Sequence, residues 1–123
     1  YNVYGWTKLC SETFVKMLTN YIVIRTRFFD KNKIRFKTAA TDIFTSMLEV
    51  KNLVKEIKKI SNTNFTGIIN VGKKRESDYS NYKKYKPQIM PCKRKDILKN
   101  LNFRIAKDAS MNLTLLKKIK QKR

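Results

Sequence analysis

Two short runs decide what this chain can fold into: Tyr21-Ile22-Val23-Ile24-Arg25-Thr26 and Thr66-Gly67-Ile68-Ile69-Asn70-Val71-Gly72. Each is apolar and β-branched and too short for a stable helix. Each reads as a strand buried on both faces, the pattern of a parallel sheet. Ahead of the first run, residues 4–18 read as a helix. Trp6, Leu9, Cys10, Phe14, Met17 and Leu18 recur there mostly at spacings of three and four. Asn2 is a suitable N-cap and Asn20 a suitable end. A helix followed after a short link by a buried strand is half of a parallel α/β unit, so the fold class is α/β. Ligands of open α/β sheets bind beyond the carboxyl ends of the strands. Here that edge carries Arg25, Thr26 and Arg27.

The remaining segments are shorter. Residues 30–46 read as polar and irregular, with a turn at Asp30-Lys31-Asn32-Lys33 and a short extended piece at Ile34-Arg35-Phe36. Phe44–Val50 reads as extended and leads into a helix at Lys51–Ile60, with Leu53, Val54, Ile57 and Ile60 on one face. A helix over Asp78–Tyr85 is stopped by Pro87. Ile89 and Met90 read as extended, Lys93–Leu98 as one helical turn and Asn112–Ile119 as a final helix.

Charge narrows the partners. The chain has 123 residues, with 29 Lys+Arg against 9 Asp+Glu and a net charge of +20. Such an excess suits anionic partners: nucleic acid, lipid headgroups or phosphorylated small molecules. No stretch approaches ~20 apolar residues, so no membrane span is expected, and no signal peptide is visible. Cys10 and Cys92 have no metal-ligand spacing, and with no histidine a zinc or other metal site is not expected. Reduced thiols in the cytoplasm are the simple reading of the cysteines, with Cys10 in the core on its helix face. The lack of histidine excludes a Ser/His or Cys/His nucleophile within this chain. Three glycines are too few for a dinucleotide fingerprint, and no P-loop occurs.

One residue pair carries proton chemistry. Tyr4 and Lys8 are four apart and share a helix face. A free phenol loses its proton near pH ~10. An ammonium one turn away favours the phenolate, and a tuned pair can exchange a proton with a carbonyl or alcohol. Spacing alone is weak, since Tyr79 and Lys83 repeat it in a generic basic helix. Trp6 and Phe14 read as core residues. Arg25, at a strand end, reads first as a brace for the sheet.

The order of elements carries a resemblance. Val3-Tyr4-Gly5-Trp6-Thr7-Lys8-Leu9 with Glu12, the Ile22–Thr26 strand, Leu48-Glu49-Val50-Lys51-Asn52-Leu53-Val54, the Thr66–Gly72 strand and Asp108-Ala109-Ser110-Met111-Asn112-Leu113 follow one another in order. This resembles the C-terminal half of the extended short-chain dehydrogenase/reductase family, in its dTDP-4-dehydrorhamnose reductase-like, sugar-nucleotide-modifying branch. The resemblance implies the end of a Rossmann-like, doubly wound sheet over residues 1–29. It implies a small α/β substrate-binding lobe over residues 30–123, with elements returning to the sheet. It implies NADP or NAD as cofactor, held mostly by an N-terminal half expected to lie before residue 1, and a nucleotide-sugar substrate. Tyr4 would give a proton to a 4-keto-6-deoxy sugar, and Lys8 would tune Tyr4 and bind the nicotinamide ribose. Thr26, Arg27 and Phe28 would line the nicotinamide. Arg94, and after it Arg75, would meet the diphosphate, where a guanidinium can grip with two donors. These residues alone should be inactive, a homodimer is allowed, and no membrane partner is implied. Apolar faces of the first helix and strand would be left open.

The resemblance is incomplete. The Asp-Gln pair and following Gly and Pro-Thr of the branch are replaced by Thr41-Asp42-Ile43-Phe44-Thr45-Ser46, and the residues after the strand are Arg27-Phe28-Phe29. An epimerase or dehydratase of the same family would reuse the Tyr/Lys pair. A small basic nucleic-acid-binding protein is the alternative from another class, with six tyrosines available to stack on bases. Against it, the basic residues are scattered through all segments.

Overall fold

A computed structural model describes residues 3–121. Helix α1 (Val3–Val15) leads into strand β1 (Ile22–Thr26). Strand β1 pairs in parallel with β6 (Gly67–Val71), from Ile22 opposite Gly67 to Thr26 opposite Val71. Between them the chain forms β2 (Phe28–Phe29), β3 (Thr38–Ala40), β4 (Phe44–Thr45), β5 (Leu48–Glu49) and helix α2 (Val50–Ser61). After β6 come β7 (Glu76–Ser77), α3 (Asp78–Lys83), β8 (Met90–Cys92), α4 (Arg94–Leu98), β9 (Asp108–Ala109) and α5 (Thr114–Gln121). The class is α/β, as the strand runs require. No helix among the described residues is long and apolar enough to cross a membrane.

The main core follows from the two apolar runs. Ile69 and Val71 of β6 pack with Leu48, Leu53, Ile60 and Leu116, while Ile22, Ile24, Ile57 and Ile119 close around them. Helix α2 lays Leu53, Ile57 and Ile60 on this sheet, and α5 adds Leu116 and Ile119. Glu49 caps α2 by accepting the Lys51 N–H at 2.9 Å. Lys120 reaches Glu56 at 2.7 Å and ties α5 to α2. Short strand pairs, all parallel except the antiparallel β4–β7, join the lobe over long range. Strand β2 pairs with β5, β3 with β8, and β4 lies between β7 and β9.

Several expectations need correction. The β1–β6 sheet is buried on one face only: Ile69 and Val71 are buried, while Ile68, Asn70 and the β1 residues Ile22–Ile24 remain half-exposed. Helix α1 ends at Val15 rather than residue 18. Met17 and Leu18 donate instead to Phe14 and Val15 in tighter i→i+3 turns. Asn2 lies outside the described residues. Trp6, Phe14 and Cys10 are exposed rather than core, because α1 is half-buried only at Glu12 and Val15 and the described residues cover little of that face. Val54 is 47% exposed, about 100° around α2 from Leu53.

Residues 30–46 are not uniformly polar and irregular. A 3-10 turn at Lys31–Lys33 is capped by Asp30, Ile34–Phe36 forms no strand, and Ala39, Ala40 and Ile43 are among the most buried residues. Helix α3 stops at Lys83, before Pro87, after Tyr85 and Lys86 turn back to the Tyr82 carbonyl.

The β9 join carries a pH-sensitive clamp. Asp108 accepts from Ser110 and from Arg75 Nε at 2.7 Å. Hydrogen bonds from Ser110, then from Arg75, lower its carboxyl to about 2 from an ordinary value of 3.8. A carboxyl depressed on folding contributes stability above its unfolded value and loses it as pH falls through the folded one. Urea midpoints should therefore fall between pH 4 and 2 in the native protein, and less steeply in Asp108→Asn. Parallel curves for the two proteins would contradict the clamp.

Candidate functional site

The site is built on the row Tyr4, Lys8 and Glu12, three residues at successive spacings of four on α1. Glu12 closes onto Arg25 near the carboxyl end of β1. Arg25 Nε donates to Oε1 at 2.8 Å and Nη2 to Oε2 at 2.5 Å. This two-pronged bond is the charge-assisted geometry a guanidinium forms best. It lowers the Glu12 carboxyl and raises Arg25, the hydrogen bond being the main cause of each. The bracing role expected for Arg25 is met by this contact. The latch ties helix α1, which carries Tyr4 and Lys8, to β1 one residue before Thr26.

Lys8 Nζ lies 5.4 Å from the centroid of the exposed Tyr4 ring, within cation–π range. The pair on α3 is a useful contrast. Lys83 Nζ donates to the Tyr79 hydroxyl at 2.6 Å and also lies 5.0 Å from that ring. Contact between a tyrosine and a lysine is therefore no mark of a site by itself. What separates the first pair is its tie to a parallel-strand end.

The other singled-out residues fall in different places. Thr26 Oγ1 is buried and has no hydrogen-bond partner among the described residues. Phe28 is exposed in β2, opposite Leu48. Arg27 turns toward Asp78, with 3.9 Å between Nη2 and Oδ2. Arg94 donates its Nε and Nη2 to the Ile105 carbonyl at 2.8 and 2.6 Å, while its backbone N–H donates to Asp42 at 2.7 Å. Arg75 bonds Asp108 and stacks 3.6 Å from the centroid of Phe44. Both guanidiniums thus already bind the lobe through Nε. Lys93, Lys95 and Lys107 share a hollow with Arg94 and Asp42.

Sequence reasoning did not find the Arg27–Asp78 or Glu12–Arg25 pairs. Glu12 stood in the recognised motif, and its place one turn beyond Lys8 was the available signal. Nothing local marks Asp78 as a partner of Arg27.

No protein-family model matches this sequence, and no curated protein matches it. A solved structure does: dTDP-4-dehydrorhamnose reductase from Bacillus anthracis str. Ames, in complex with NADP. The TM-score is 0.74 over 94% of this chain, at 22% identity. The chain has the fold of part of a Rossmann-like reductase. It spans about half of that protein, 48% of its length.

The latch gives a direct prediction. Glu12→Gln removes one charge from a partly exposed pair, so global stability should change by under about 1 kcal/mol. Helix α1 should nevertheless loosen, because few other contacts of its exposed length hold it. Amide exchange across residues 3–15 should speed up selectively. Unchanged exchange there would show that the latch does not position the helix.

Proposed function

We propose that this chain supplies the proton-transfer helix and substrate lobe, the C-terminal half, of an NAD(P)-dependent sugar-nucleotide reductase of the extended short-chain dehydrogenase/reductase family. The observation that carries the reading is the Tyr4–Lys8–Glu12 row latched by Arg25 to a parallel-strand end, in a fold similar to an NADP-complexed reductase.

Residues 1–29 are assigned to the end of the dinucleotide-binding sheet and residues 30–123 mainly to the substrate lobe. NADP or NAD, when bound in its reduced form, would supply the hydride and leave as the oxidised cofactor. The chain's residues suit the nicotinamide end of such a cofactor: Tyr4 and Lys8 are open to solvent, and the Thr26 hydroxyl is buried and unpartnered among the described residues. No glycine-rich turn is present to cradle the diphosphate.

Tyr4 gives its phenolic proton to the oxygen of a 4-keto-6-deoxy nucleotide sugar as the carbonyl carbon is reduced. Lys8 stabilises the phenolate that remains and holds the nicotinamide ribose. Phe28 offers an exposed ring at the same edge. Arg94 and Arg75 reach the substrate phosphates through the donors left beyond their Nε contacts. The unpaired thiols of Cys10 and Cys92 suit a cytoplasmic setting.

The test is NADPH oxidation with a 4-keto-6-deoxy nucleotide sugar. This chain is joined to a dinucleotide-binding half, for instance by replacing the matched half of the Bacillus anthracis reductase. Turnover by the joined protein and none by this chain alone is the expected result. Turnover by the chain alone would reject the division of labour, and a joined protein that binds NADPH without turnover would reject the catalytic assignment.

A further inference from the structure

A net charge of +20 leaves a cationic surplus well beyond the Lys8, Arg75 and Arg94 of the reductase reading. Each of the nine carboxylates already has a partner within the fold, from Glu12 with Arg25 to Asp108 with Arg75. The surplus lysines are scattered along the sequence, but folding gathers a group of them on the outer face of α2 and α5. Helix α2 carries four lysines and α5 three, and Glu56 is the single carboxylate of the two helices. Neither helix holds a residue assigned above to proton transfer, cofactor or substrate.

The geometry of α2 makes a row. Leu53, Ile57 and Ile60 turn to the core, and at 100° per residue Lys51, Lys55 and Lys58 fall on the opposite side. All three are exposed and without an ion pair among the described residues. Spacings of four and three put an ammonium every ~5 Å along the helix axis. Glu56 lies off the row, half-buried at the join with α5, where Lys120 reaches it at 2.7 Å and Lys59 at 3.5 Å. One turn before Lys120, Lys117 is exposed and likewise without an ion pair among the described residues. Lysines at i and i+4, such as Lys51 and Lys55, repel and destabilise a helix. A polyanion laid along the face removes that repulsion.

The side chains around the row discriminate among polyanions. Neither helix carries an aromatic or an arginine. Single strands are held by stacking their bases on aromatics, and base edges are read most often by arginine forks. Double-stranded RNA is recognised partly through its 2′-hydroxyls, and an ammonium offers them no acceptor. A lipid surface takes up a helix by its apolar face, and that of α2 is in the core. Lysines alone meet phosphates as point charges, with no sequence preference.

We propose that the outer face of α2 and α5 binds the phosphate backbone of double-stranded DNA without reading its sequence. Lys51, Lys55, Lys58 and Lys117 each displace a condensed counterion from a phosphate.

The experiment is fluorescence anisotropy of a labelled DNA duplex titrated with the chain between about 50 and 200 mM salt. Four phosphate contacts predict a log–log slope of about −4, a roughly 10²-fold weaker Kd across that range. The triple variant Lys51→Gln, Lys55→Gln, Lys58→Gln removes three of them while glutamine keeps the helix. Its slope should fall to about −1. A second triple variant of equal charge, Lys31→Gln, Lys37→Gln, Lys74→Gln, alters exposed lysines on other elements and should keep the native slope. Unlabelled duplex should displace the probe at a lower phosphate concentration than its single strand, an RNA duplex, or vesicles of phosphatidylserine and phosphatidylcholine. No binding at the lower salt, equal slopes for the two triple variants, or better displacement by any of the other polyanions would each overturn the proposal.

Discussion

Replacing Tyr4 by phenylalanine should reduce the turnover of the assembled reductase roughly 10³-fold, within the range contributed by a positioned general acid. The ring stays and only the hydroxyl is lost. The Lys8 contact with the ring face survives in kind, because Nζ lies over the ring at 5.4 Å from its centroid. Helix α1 is held by Glu12 and Arg25, which the substitution does not touch. Binding of the nucleotide sugar should therefore change little while kcat collapses. The measurement is kcat and KM for the keto sugar, native against Tyr4→Phe. Tyr79→Phe, which removes a closer tyrosine–lysine hydrogen bond on α3, should leave kcat within about twofold, as an exposed surface change does.

The second large effect is on stability, at Gly72. A Cβ added there would press into the Ser46 carbonyl oxygen, with Met111 Cε 2.9 Å away. The Met111 methyl ends a flexible side chain and can swing aside, but the Ser46 carbonyl cannot easily give. The Ser46 carbonyl accepts the Lys73 N–H at 3.0 Å, its Oγ accepts the Met111 N–H at 3.1 Å, and Ser46 is buried. Relief would have to break a bond between the end of β6 and the β4–β5 link. Gly72→Ala should cost about 3 kcal/mol, at the upper end of overpacking changes, and lower Tm by roughly 10 °C. Gly67 offers a contrast. Its Cβ would meet only Phe65 Cζ at 3.6 Å, but its φ of +126° is one that side chains rarely adopt. Gly67→Ala should cost about 1 kcal/mol through backbone strain alone. A chemical-denaturation series on both variants checks the order; equal losses would mean that the Ser46 contact yields.

The parts legible in the sequence share a property: their signal lies within one segment. The β-branched runs at residues 22–26 and 67–71 became the paired strands, and Leu53, Ile57 and Ile60 became the buried face of α2. The short elements gave no such signal. Strands of two or three residues cannot show an alternation, so Ala39, Ala40 and Ile43 were hidden in a polar stretch although they are buried. Ala39 and Ala40 are paired by β8, whose Cys92 lies opposite Ala40 from 52 positions away, and Ile43 accepts the Asp78 N–H from the start of α3. The α1 stripe shows the opposite limit. Periodicity states that a helix face is apolar, not what covers it, and Trp6, Leu9 and Phe14 are all more than half exposed.

The site divides in the same way. Tyr4, Lys8 and Glu12 were readable because helical spacing places them in a row. The partners that give the row its setting come from elsewhere: Arg25 reaches Glu12 across 13 positions. The Nε contact of Arg94 with the Ile105 carbonyl, and that of Arg75 with Asp108, likewise arise only when the lobe is assembled. The resemblance marks these arginines for the substrate diphosphate, and nothing local in the sequence shows the lobe contacts they make.

NADPH oxidation by the joined reductase, measured with and without Tyr4→Phe, tests the central claim most directly. The account predicts turnover of a 4-keto-6-deoxy nucleotide sugar by the native form and a roughly 10³-fold slower rate in Tyr4→Phe. Equal rates in the two, or a folded joined protein that binds NADPH and leaves the keto sugar unreduced, would contradict it.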